Sequence, residues 1–99
     1  TRQEYDDAVA QLPDAHTREH LFALHLKRRA LDPDAFDLAA LAAASDGFSG
    51  AEIEQAIVAG LYAAHAASQP LSDFTLRSEL KATRPLSVLM GEQVAALRD

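Results

Sequence analysis

The chain has 99 residues, with nine Lys and Arg against fifteen Asp and Glu; its net charge of −6 repels nucleic-acid phosphates and anionic membranes. It contains no Cys, which excludes disulfide staples and thiolate metal sites, and no apolar run approaches the ~20 residues of a membrane span. Apolar residues make up 48% of the chain, but many are alanine, with no Trp, two Tyr and four Phe, so the elements must approach closely. Alanine has the highest helix propensity and β-branched residues are scarce, so the composition predicts an all-α domain. A chain this short forms one domain at most and buries only about 60–65% of the surface its unfolded form exposes. No signal-peptide pattern opens it and nothing suggests secretion, so a reducing cytoplasm is expected; a start at Thr1 without Met reads as part of something longer.

Residues 1–11 are mostly polar and weakly periodic, consistent with a frayed helix, a displaced strand or a remnant; residues 12–99 form the helical domain. Pro13 and Asp14 start a first helix that carries Leu21, Phe22, Leu24 and Leu26 on a broad apolar face. It closes on Lys27, Arg28 and Arg29, cations placed at the negative end of the helix dipole. This cluster reads as a solvated last turn, with a partner-binding patch as the alternative. A connector containing Pro33 leads to Asp37, which caps a short helix with Leu38, Leu41 and Ala42 on one face.

The segment SDGFSGAEIEQAI then opens the most regular pattern in the chain. Apolar positions at Ile53, Ala56, Ile57, Gly60, Leu61 and Ala64 predict a long central helix, and Gly60 predicts a neighbour packed on its bare backbone. Gly47 suits a left-handed helix end, and Ser49 with Glu52 forms a capping box. Gly50, at the first helical position, is left over by capping; it is explained if something must approach that backbone closely. Ser72 or Asp73 caps a fourth helix marked by Leu76 and Leu80 and ending before Pro85. Ser87 caps a last one with Leu86, Leu89, Met90, Val94 and Leu97. Five helices should form one small bundle.

The chain has no phosphate loop, no dinucleotide fingerprint and no nucleophile elbow, so no catalytic residue is assigned. His16 and His20 have a spacing that could share a metal but lack a third ligand, and no metal site is assigned. His25 lies among Leu21, Leu24 and Arg28, on the face expected to meet other helices, as a half-buried, satisfied histidine when judged alone. His65 reads as surface decoration, and Glu52 is accounted for by capping.

Two segments together resemble the C-terminal helical lid subdomain of AAA ATPases. These lids open with L-P-D, carry R-x-x-[IL]-x-x-x-H-[LT] and start a later helix with G-[FYH]-x-G-A-[DE]-[IL]. The matching residues are Leu12, Pro13 and Asp14, then Arg18, Leu21, His25 and Leu26, then the run Gly47 to Ile53. The segment RPLSVLMGEQVAALRD further resembles bacterial members of a branch related to chloroplast-encoded ATPases, and the likeness runs from about Leu12 to the end.

The resemblance implies an AAA+ lid fold and a part of an enzyme that is inert alone, because the nucleotide loop, the magnesium-binding acid and the arginine finger lie in a large α/β subdomain absent here. ATP and Mg would be cofactors of the full-length parent only. Leu21 and His25 match the lid positions near adenine and ribose, and Gly50 with Ala51 lines the same pocket, where an electropositive helix start and a bare glycine would suit a ligand. Implied partners are the nucleotide and neighbouring subunits of a hexamer, with neither nucleic acid nor membrane. Ala51 stands where many wider AAA+ relatives carry a γ-phosphate arginine, so nucleotide would be sensed through packing and rigid-body movement. No arginine-finger role is carried over to Arg2, whose segment matches only with a gap. The alternative is a free-standing helical interaction module using an apolar groove or the Lys27–Arg29 patch.

Overall fold

A computed structural model describes residues 2–4, 6 and 12–83; residues 2–4 and 6 are helical. The expected last helix from Ser87 lies outside the described residues. Residues 12–83 hold four α-helices, which we number α1 (Ala15–Arg28), α2 (Leu38–Ala44), α3 (Gly50–Ala66) and α4 (Asp73–Ala82), and a 3-10 turn at Pro33–Ala35; none of the described residues is in a strand. The protein is a small all-α bundle, as composition and periodicity predict.

Each helix starts where a short polar side chain satisfies an orphan N–H. The Asp14 carboxylate accepts the Thr17 N–H at 2.8 Å, Asp37 accepts that of Ala40 at 3.1 Å, and Ser72 Oγ accepts that of Thr75 at 3.3 Å. At α3 the capping box is reciprocal: Ser49 Oγ accepts the Glu52 N–H at 3.2 Å, and the Glu52 carboxylate accepts the Ser49 N–H at 3.0 Å. Gly47, after α2, has φ 82°, the left-handed conformation expected of it. Helices α1 and α3 end the same way without glycine. Ala30 (φ 59°) and Ser68 (φ 55°) take the left-handed position, and the next N–H groups, of Leu31 and Gln69, reach back to the carbonyls of Leu26 and Ala64 at 2.9 Å each.

The core joins Phe22 and Leu26 of α1, Leu41 of α2, Phe48, then Ile53, Ala56 and Ile57 of α3, and Leu76 and Leu80 of α4. Helix α1 packs on α2 and α3, while α4 closes the other side against α3 and α2. Gly60 is buried, and a Cβ there would lie 3.1 Å from both Leu71 Cδ1 and Leu76 Cδ2, which accounts for a glycine in mid-helix. Leu24 departs from the expected apolar face of α1. It is 42% exposed, because α2 and α3 together cover the Phe22 and Leu26 side of the helix and Leu24 points away from both.

Candidate functional site

Leu21, His25, Gly50 and Ala51 come from two separate segments, and packing of α1 on α3 brings the first three onto one seam. Leu21 faces Gly50: a Cβ at that position would lie 3.7 and 3.9 Å from the two Leu21 methyls. One turn along both helices, His25 Nδ1 is 3.4 Å from Glu54 Oε2. A turn further, Arg29 lines an open groove with Val58, Leu61, Tyr62 and His65, and its Nη2 lies 3.6 Å from the same Glu54 oxygen. The two helices therefore advance in the same direction along this seam, pairing i, i+4 steps of one with i, i+4 steps of the other.

Packing among the described residues does not account for the glycine. A methyl at Gly50 would meet Leu21 only at ordinary contact distance, so the fold itself does not demand a bare backbone there. Gly50 keeps open the surface beside Leu21, and Ala51, next to it, is exposed. The N–H groups of these first two helical positions have no intrahelical acceptor. The electropositive end is nevertheless not bare, because the Glu52 carboxylate of the capping box occupies the same turn and offsets it. The site is thus a mixture of an aliphatic side chain, backbone amide groups and an imidazole, and Arg29, at the far end of the seam, lies beside Glu54. Such a surface suits the face and edge of a base or sugar better than a phosphate.

His25 is buried, at 7% exposure. Its Nδ1 is the buried side-chain nitrogen or oxygen that lacks a hydrogen bond among the described residues, so the satisfied-histidine expectation does not hold at this atom. The basic cluster is also divided: Lys27 and Arg28 are exposed, while Arg29 is half-buried beside Glu54. His16 and His20 are exposed with their rings edge to face, centroids 4.5 Å apart, and no group of three or more potential ligands among the described residues is arranged to hold a metal. No described helix is long and apolar enough to cross a membrane.

Sequence reasoning missed the roles of Arg18, Glu54 and Arg29. Arg18 is 6% exposed, and its Nε and Nη2 donate to the Ala42 carbonyl at 3.1 and 3.0 Å while Nη1 donates to that of Pro13 at 3.0 Å. It holds the C-terminal end of α2 against the start of α1. Its motif position was the available signal. Glu54 gave none, since a charged residue at that helix position reads as solvent-facing until α1 is laid beside it.

Comparison with known proteins places the chain as a relative of AAA domain-containing proteins. The Uncharacterized AAA domain-containing protein ycf46 of Pyropia yezoensis is 33% identical over 88 residues, which is 88% of this chain and 18% of the relative. Its namesake from Guillardia theta is 33% identical over 89 residues, and that from Gracilaria tenuistipitata var. liui is 34% identical over 89. In each case the match covers 89% of this chain and 18% of the relative, so the chain spans about a fifth of the length of the relatives it matches. No protein-family profile and no solved structure matches it.

Proposed function

We propose that the chain is the C-terminal lid of an ATP-binding AAA ATPase, closing over a nucleotide held by a larger α/β subdomain and contacting neighbouring subunits of a cytoplasmic hexamer. The observation that carries this reading is the convergence of Leu21, Gly50 and His25, from two separated motifs, on one seam. The large subdomain would hold ATP and its Mg2+ by their phosphates and carry the hydrolytic chemistry. This chain would supply packing against the base and sugar through Leu21, the Gly50–Ala51 backbone and His25, and its closure would exclude water and couple nucleotide state to subunit orientation. Alone it would be catalytically inert. The groove lined by Val58, Leu61, Tyr62 and His65, with Tyr62 74% exposed, supplies a surface for subunit contacts.

The test is ATP affinity in the intact polypeptide carrying this segment and its nucleotide-binding subdomain. Gly50→Leu and His25→Ala should each weaken ATP binding about tenfold, the loss of ~1.4 kcal/mol of contact, while circular dichroism of the 99-residue chain shows the helices retained. Unchanged affinity in both variants would refute the pocket assignment.

A further inference from the structure

We infer that Glu54 is a positioning residue for His25, holding the neutral imidazole with its proton on Nδ1 so that Nε2 keeps its lone pair and accepts a hydrogen bond from a hydroxyl or amino group of the nucleoside. The nucleoside part of this inference rests on the lid reading above. Three observations carry the assignment. His25 Nδ1 is buried and without a hydrogen bond, and a buried N–H left so is unfavourable. The Glu54 carboxylate lies 3.4 Å away across the α1–α3 seam, and its side chain is 43% exposed, so a small rotation closes the gap. Arg29, one turn after His25, stands 3.6 Å from the same oxygen. It keeps the carboxylate turned in toward the seam and balances its charge. In a neutral imidazole a hydrogen bond at one ring nitrogen fixes the protonation of the other. A carboxylate can only accept, so the proton goes to Nδ1 and Nε2 becomes the acceptor. The arrangement follows the logic by which carboxylates orient metal-binding and catalytic histidines, applied here to ligand recognition.

The test is the ring-nitrogen NMR spectrum of His25 in the 99-residue chain, recorded at about pH 8, above the ordinary histidine range. The unaltered chain should show the Nδ1–H form as dominant. Glu54→Ala should shift the dominant form to Nε2–H, the one an unconstrained imidazole favours, and Glu54→Gln, whose amide oxygen still accepts, should restore Nδ1–H. A dominant Nε2–H form in the unaltered chain, or no shift in Glu54→Ala, would overturn the inference. A thermal melt of each variant separates a tautomer change from unfolding. In the intact polypeptide, Glu54→Ala should weaken ATP binding several-fold and Glu54→Gln should leave it nearly intact. If His25→Ala weakens binding and Glu54→Ala does not, the positioning role falls. If neither His25→Ala nor Gly50→Leu matters, the lid reading falls and the NMR result judges the tautomer separately.

Discussion

Asp14 illustrates how much one side chain decides at a helix start. Its carboxyl is held below the ordinary value of 3.8, first by the Thr17 backbone N–H and then by the Thr17 hydroxyl. Since the folded value is the lower one, the stabilisation is fully present above the unfolded value and is lost as pH falls through the folded one. Asn can cap the same N–H but lacks the carboxylate's charge and does not titrate. The melting temperatures of the unaltered chain and Asp14→Asn should therefore differ most near neutrality and converge on acidification below the carboxylate range, read by circular dichroism. The glycines differ from one another at the same scale. Gly60 has Leu71 and Leu76 pressed on it, so Gly60→Val should destabilise by about 1–3 kcal/mol in urea unfolding. Gly50→Ala, with only ordinary contacts to Leu21, should be neutral or stabilising by up to ~1 kcal/mol.

Between elements, two polar ties set how the short helix α2 sits. The Asp73 carboxylate at the start of α4 accepts the Asp37 N–H at 3.0 Å, joining two helix starts. At the other end of α2, Arg18 meets the Ala42 carbonyl, which also accepts from Ser45 Oγ at 3.1 Å. A seven-residue helix has little intrinsic stability, so its ends depend on such partners. Arg18→Met should destabilise the chain by about 1–3 kcal/mol, measured by urea unfolding, because the guanidinium's hydrogen bonds to the Ala42 and Pro13 carbonyls are lost. Arg18→Lys should recover only part of this, since an ammonium cannot reproduce the guanidinium fork that reaches both Ala42 and Pro13.

Across the whole molecule, the α1–α3 seam joins what the sequence keeps apart. Leu21 with Gly50, His25 with Glu54, and Arg29 beside Glu54 and Val58 form one continuous strip, from an open helix start to an open groove. The core lies elsewhere, around Phe22, Leu26, Leu41, Ile53 and Ile57. Substitutions along the strip should thus separate function from stability: Gly50→Leu and His25→Ala change ATP affinity in the intact polypeptide while the helical chain stays folded. For Gly50 the separation follows from its half-buried position beside the exposed Ala51; His25 is buried but lies outside the apolar core cluster.

By itself the sequence determined the all-α class, the caps at Asp14, Asp37 and Ser49, a fourth cap at Ser72 or Asp73 that the structure gives to Ser72, the left-handed Gly47 and the buried faces of α3 and α4. Each depends on residues within a turn or two of one another, where propensity and hydrogen-bond geometry act locally. The left-handed ends at Ala30 and Ser68 escaped notice because neither is a glycine. Only the tertiary structure turned Leu24 outward, buried Arg18 against α2, and drew Arg29 and Glu54 together beside a His25 nitrogen that lacks a hydrogen bond. Those outcomes depend on which neighbour covers which face, and a helix's own period does not say whether a second helix lies beside its charged side or its apolar one.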